Sequence, residues 1–374
     1  MDKSVSPGDE ADRASARDEA ASSDWISQFQ HCLNKPRAEP ARFATENRVV
    51  ETYPTLRLRA FGKRRPNSVP TLIVAPLAVH DAGFTDLMRG HSLVRTLCAA
   101  LGGVYLTDWR PAGPDMAQAS FDQYLCELNA AIDDLGGGAN VVGLGVGGSL
   151  ALMHAARFPG KIKRLVLAGA PVNTAVRPSL MTRFARKSVD LDELPDDMSA
   201  CSGASLSPLA AGQGQECAAL TTMQRDPGSF ARADLDAIAA YEDWAARRVE
   251  LSGRYARDLL ARLFAGNELA TGAFVALGRA IDLRDVKAPL FVLAGAHDEI
   301  TPQAQALAAL SLVGTAKARR RSLVAPCGHF ALFVGAQTLA REWRTIAGWL
   351  QASAPVAERP KAHAMAGSEA SRRP

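Results

Sequence analysis

Gly143-Leu144-Gly145-Val146-Gly147-Gly148 lies between an apolar run, Asn140 to Leu144, and a segment of helical period, Ser149 to Phe158. A short apolar run, a glycine cluster and a 3.6-residue period predict a strand, a tight turn and a helix. Two mechanisms use that shape. In a nucleophile elbow the residue between strand and helix sits in a strained turn with its side chain thrust into a site. In the dinucleotide fingerprint G-x-G-x-x-G the backbone approaches a pyrophosphate at a helix N-terminus. The elbow position falls on Gly145, which has no side chain.

The dinucleotide reading requires an acidic residue about 20 residues after the first glycine, at the end of the next strand. That strand ends in Leu167-Ala168-Gly169-Ala170-Pro171, and no Asp or Glu occurs from Leu135 to Val189. The fingerprint is also usually found on the first strand of its sheet, whereas several strands precede it here. The elbow reading calls for an acid and then a histidine, each just after a later strand. Leu290 to Gly295 reads as a strand running into Ala296-His297-Asp298, and Ser322 to Gly328 as a strand running into His329. An acid bonded to one imidazole nitrogen fixes the tautomer and leaves the other nitrogen to take a proton. Asp298 and His329 are therefore the candidate catalytic pair.

The order of elements around this turn predicts the architecture. Arg48 to Phe61 alternates apolar and polar residues and reads as one or two antiparallel strands. Strands at Thr71–Ala75, Val104–Thr107, Asn140–Leu144 and Arg164–Ala168 alternate with helices at Ser92–Leu101, Phe121–Leu135 and Ser149–Phe158. After Pro171 the period breaks, and Val172 to about Leu283 turns helical at Ala231–Leu251 and Tyr255–Phe264, an insertion read as a lid or cap. A strand at Leu290–Ala294, a helix at Gln303–Leu312, a strand at Arg321–Val324 and a helix at Ala336–Leu350 complete the pattern. Alternation of this kind predicts an α/β fold with a mostly parallel sheet and helices on both faces. The expected organisation is a disordered or linker segment over 1–45, a core over 46–171 and 286–350, a helical cap over 172–285 and a disordered tail over 351–374. A short helix at Asp24–Leu33 is expected within the first of these.

Composition bounds the function. The chain has 374 residues, 47% of them hydrophobic, enough for a sizeable core. Its net charge of +4 sets 43 basic against 39 acidic residues spread along the chain, a weak case for nucleic acid. No apolar run approaches the roughly 18 residues of a membrane span, and Met1-Asp2-Lys3-Ser4 opens a polar segment, so a cytoplasmic protein is expected. The six cysteines show neither CxxC nor framework spacing and are expected to be reduced. No metal or cofactor is called for.

Gly90-His91-Ser92-Leu93-Val94, Leu106-Thr107-Asp108-Trp109-Arg110, the Gly143 to Gly148 turn, Asn267-Glu268-Leu269 through Asp298, and Gly328-His329-Phe330-Ala331-Leu332-Phe333 stand in order along the chain. From about Thr71 to Leu350 it resembles the polyhydroxyalkanoate synthase and intracellular depolymerase-like group of the α/β-hydrolase fold. Synthases of that group carry G-x-C-x-G-G, and relatives place Ser or Cys at the same position; Gly145 stands there in this chain. The resemblance implies a hydroxyacyl ester, acyl-CoA or polyester ligand, an oligomer with itself or with a synthase, and a place at polyester granules.

Around the turn, the Val146 N–H and a donor from Pro76-Leu77-Ala78-Val79-His80 are expected to form an oxyanion hole. His80 reads equally as a pocket residue or an exposed loop side chain. Ser149 and Cys327 are expected to pack, not to replace the missing nucleophile, and Asp108-Trp109-Arg110 to fix its loop. Three functions remain open: hydrolysis of an ester or thioester by the Asp298–His329 dyad and water, binding without catalysis, and an oxygenase- or lyase-like use of the dyad.

Overall fold

The structure is a computed structural model that describes residues 41–78, 80–187, 201–202, 236–237, 240–241, 244, 247 and 249–352. Of the segments expected to be disordered, residues 1–40 and 353–374 lie outside these, as does the helix expected at Asp24–Leu33. Eight strands form one sheet: β1 (Asn47–Thr52), β2 (Leu56–Gly62), β3 (Thr71–Val74), β4 (Gly103–Trp109), β5 (Ala139–Leu144), β6 (Ile162–Ala168), β7 (Leu290–Gly295) and β8 (Arg320–Ala325). Their spatial order is β1-β2-β4-β3-β5-β6-β7-β8. The β1–β2 and β2–β4 pairs are antiparallel and every other pair is parallel. This is the mostly parallel α/β sheet that the alternating pattern predicts. Strands β3, β5 and β7 are buried along their whole length, as strands covered on both faces must be.

The helices follow from their sequences. Helix α1 (Leu93–Leu101) starts at Ser92, whose hydroxyl accepts the Arg95 N–H at 2.9 Å, and buries Leu93, Val94, Leu97 and Leu101. Helix α2 (Phe121–Asp134) buries Tyr124, Leu125, Leu128 and Ile132, one stripe of a 3.6-residue period. Helix α3 (Val146–Arg157) is apolar nearly all round and buried from Gly147 to Ala156. Three glycines set how close α3 comes to the sheet. A Cβ on Gly147 would lie 2.4 Å from the Ala75 carbonyl oxygen, one on Gly148 2.6 Å from the Ala170 Cβ, and one on Gly143 2.4 Å from the Gly148 Cα.

Between β6 and β7, helix α4 (Leu180–Lys187) packs against a π-helical turn, Leu259–Ala265, that continues helix α5 (Gly253–Asp258). The expected helix at Tyr255–Phe264 thus changes its winding at Leu259. The Thr174 hydroxyl donates to the Leu263 and Phe264 carbonyls at 3.0 Å, tying this turn to the chain leaving β6. The helix expected at Ala231–Leu251 lies largely outside the described residues, and its last two residues are a strand instead. Glu250–Leu251 pairs with Cys201–Ser202, the Ala112 N–H holds the Glu250 carbonyl at 2.9 Å, and Ser252 caps the next helix.

Two other expected helices are interrupted. Gln303–Leu312 divides at Ala308, whose N–H is shared between the Ala304 and Ala306 carbonyls. Ala336–Leu350 breaks at Arg341 (φ −110°, ψ −71°), and helix α6 (Glu342–Gln351) restarts with Trp343 fully buried and its indole N–H bonded to the Leu332 carbonyl at 2.6 Å. Among the described residues no helix is long and apolar enough to cross a membrane.

One buried group makes stability depend on pH. His154, on α3, is fully buried beside Phe158, with Nε2 3.3 Å from the Asn129 side-chain oxygen. Burial first, and Lys161 second, push it down to about 3 from its usual 6.5. The unfolded chain therefore binds a proton between these values that the folded chain does not, so stability falls as pH drops through this window. Denaturant unfolding at about pH 7 and about pH 5 should differ by an amount approaching ~1.4 kcal/mol per pH unit from this group. His154→Leu should flatten that difference.

Candidate active site

Gly145 follows β5 directly and opens α3 with φ +51° and ψ −132°. An L side chain is strained there, whereas glycine adopts it readily. The turn is held by Gly145 N–H to the Ala168 carbonyl and Gly148 N–H to the Gly145 carbonyl, both 2.9 Å. The missing side chain has a defined place. A Cβ would lie 3.4 Å from Pro76 Cγ, 3.7 Å from Pro76 Cβ and 3.7 Å from His329 Nε2, all ordinary contacts.

The structure brings Asp298 and His329 together. The loops after β7 and β8 are laced by Ala296 N–H to the Ala325 carbonyl and His297 N–H to the Cys327 carbonyl. His329 Nδ1 donates to Asp298 Oδ2 at 2.7 Å, and Asp298 Oδ1 accepts the Thr301 N–H at 2.6 Å. Both residues are buried. The edges of Phe330 and Phe333 enclose the imidazole, with ring centroids 5.5 and 5.3 Å away. An imidazole fixed in this way at Nδ1 can act as a base at Nε2.

The cleft in front of Gly145 spans about 700 Å³ including its open mouth. Aromatic and aliphatic side chains line most of it, among them Phe84, Met181, Trp244, Leu259 and Phe264. Val146 lies at its floor, and its N–H, first in α3, has no acceptor within the helix. Ala78 also lines the cleft; Val79 lies outside the described residues. His80 is a buried residue lining the cleft, with Nδ1 2.7 Å from the Arg247 carbonyl and its ring tilted against that of Trp244 at 4.6 Å between centroids. Beside it, burial pushes the Asp81 carboxyl up, against the Gly83 N–H and Arg247 that hold it charged.

The remaining candidates take structural positions. Ser149 is buried and donates to the Pro171 carbonyl at 2.6 Å. Cys327 is half-buried and accepts from the Thr338 hydroxyl at 3.7 Å. Asp108 forms ion pairs with Arg57 and Arg59 at 3.0 and 2.7 Å, the Trp109 indole donates to the Ala75 carbonyl, and Arg110 donates to the Pro54 carbonyl. Sequence reasoning missed Gly169, Thr301 and Trp244. Gly169 (φ +55°) sits against the imidazole, where a Cβ would come 3.1 Å from His329 Cε1. Among the described residues no group of His, Cys, Asp and Glu is arranged to hold a metal ion.

Over 305 residues the chain is 26% identical to the poly(3-hydroxyalkanoate) polymerase subunit PhaC of Thiocystis violacea, covering 76% of this chain and 81% of that one. The corresponding subunit of Allochromatium vinosum is 25% identical over 307 residues, with 78% and 83% covered. The chain is similar to these polymerase subunits over most of its length. Its fold is that of the α/β-hydrolases: the monoacylglycerol lipase of Paleococcus ferrophilus superposes with a TM-score of 0.52 at 19% identity, over 79% of this chain and 98% of the lipase. Residues 229–356 also match a family described as "Protein of unknown function (DUF3141)".

The contact at Gly169 gives a test of how the imidazole is held. Gly169→Ala forces a methyl group against His329 and Leu332 at a left-handed φ. It should cost about 2 kcal/mol in denaturant unfolding, and the His329 imidazole resonances should shift in NMR spectra; unchanged resonances would show that the ring does not depend on this contact.

Proposed function

We propose that this chain, which is similar to the polymerase subunits, acts on hydroxyacyl esters or thioesters, with His329 as general base toward a nucleophile from solution. The observation that carries the reading is the Asp298–His329 bond of 2.7 Å combined with Nε2 lying 3.7 Å from the Cβ position of Gly145. The acyl group would rest in the aromatic cleft. Its carbonyl oxygen would be polarised by the Val146 N–H and a main-chain donor from the Ala78 to His80 loop. Asp298 holds the imidazole tautomer and stabilises the imidazolium once it forms. Residues 46–171 and 286–350 would serve as the two parts of the core and 172–285 as a cap over the cleft.

The absence of a side chain at Gly145 favours one further reading, in which the cleft binds an acyl group, a polyester surface or a partner polymerase subunit without turnover. A covalent route requires a nucleophile within about 3 Å of its base; the Ser149 hydroxyl instead donates to the Pro171 carbonyl, and the Cys327 thiol accepts from Thr338. An oriented base with oxyanion stabilisation can still act directly on water, at a rate far below that of an intact triad.

Chromogenic acyl esters separate the two readings. The wild type should exceed background and His329→Ala should lose about 10²-fold. If neither exceeds background, the binding reading stands. In Gly145→Cys the new thiol should become acylated by the ester; a folded Gly145→Cys protein that takes no label would contradict an intact carbonyl-polarising cleft.

A further inference from the structure

The recess at Gly145 is bounded closely enough to ask what it admits. Its walls are Pro76 on one side, at 3.4 and 3.7 Å from the Cβ position, and the His329 imidazole on the other, at 3.7 Å. An oxygen or nitrogen displaced slightly from that position toward the ring comes within hydrogen-bond reach of Nε2, about 3 Å. The recess opens on the cleft, since Pro76, Gly145, Val146 and His329 all line it. Gly145 therefore does more than omit a nucleophile. Its missing side chain leaves a place of about one heavy atom beside the base, where a side chain would otherwise stand.

We infer that this recess seats a small nucleophile from solution, so that the chain transfers an acyl group directly to water or to an acceptor with one small, unhindered N–H or O–H group. The inference rests on the reading of the cleft as an ester or thioester site. In the step, the acceptor oxygen or nitrogen attacks the carbonyl carbon while its proton passes to His329 Nε2. The tetrahedral oxyanion is held at the Val146 N–H. On collapse the bond from carbonyl carbon to the leaving oxygen or sulfur breaks, and the imidazolium returns the proton to the leaving group. No redox partner and no acyl-enzyme enter. Pro76 sets the size limit, because an acceptor branched next to its nucleophilic atom would overlap the pyrrolidine ring.

Hydroxylamine tests this on the wild-type chain. With a chromogenic acyl ester, hydroxamate should form at a rate at least about tenfold above that of His329→Ala, after subtraction of the uncatalysed reaction. N-tert-butylhydroxylamine, branched at the nitrogen, should give no product above the uncatalysed rate. Gly145→Ala fills the recess with a methyl group that meets no atom closer than 3.4 Å. It should lower hydrolysis and hydroxamate formation together by about tenfold or more, while a hydroxyacid still raises its melting temperature as in the wild type. Wild-type turnover that is matched by a folded Gly145→Ala, or that uses the branched hydroxylamine as readily as hydroxylamine, would overturn the inference while leaving the ester reading in place. Should Gly145→Ala fail to fold, the comparison of the two hydroxylamines decides alone. An ester left intact by the wild type overturns both the inference and the reading beneath it.

Discussion

A methyl group on Gly147 would stand 2.4 Å from the Ala75 carbonyl oxygen, and that forbidden distance governs how the central helix meets the sheet. Only with glycine at 143, 147 and 148 can α3 pack this closely over β3, β5 and the chain leaving β6. The same close approach goes with the positive φ of Gly145 and with the first N–H of α3 lying at the cleft. Pro76, at the end of β3, becomes a wall of the site for the same reason. The glycine-rich turn is thus a packing device before it is a chemical one, and the chemistry inherits its geometry.

The second constraint is the lacing of the loops after β7 and β8. Parallel strands bring their C-terminal ends to one edge, and two main-chain bonds fix those loops side by side. Asp298 and His329 meet there in a buried, aromatic setting in which their 2.7 Å bond is protected from water. Gly169 leaves the imidazole the space it occupies, and Gly145 leaves open the space in front of it. Two left-handed glycines at the ends of neighbouring strands therefore define the surroundings of one ring.

Much of this is legible in the sequence because it rests on local period and order. The strands alternate with amphipathic helices, and the absence of any acid between Leu135 and Val189 removes the dinucleotide reading. The positions of Asp298 and His329, each just past an apolar run, follow from the way parallel strands collect their ends. What escapes the sequence depends on contacts between distant segments. Trp244 reaches the cleft from the insertion and bonds the Asp81 carbonyl at 3.1 Å, a pairing no local pattern announces. The winding change at Leu259 and the break at Arg341 likewise serve side chains that pack elsewhere. Gly169 reads in sequence as one small residue among others, and only the imidazole beside it gives it a role.

In the proposed reaction the imidazole of His329 works at an elbow without a side-chain nucleophile, so that no acyl group is ever attached to the chain. Intact-protein mass measurement during turnover of an acyl ester tests this most directly. Ester should be consumed while the protein keeps the mass of the unmodified chain throughout. Accumulation of a species heavier by one acyl group, carried on Ser149, Cys327 or any other side chain and released at the rate of turnover, would contradict it.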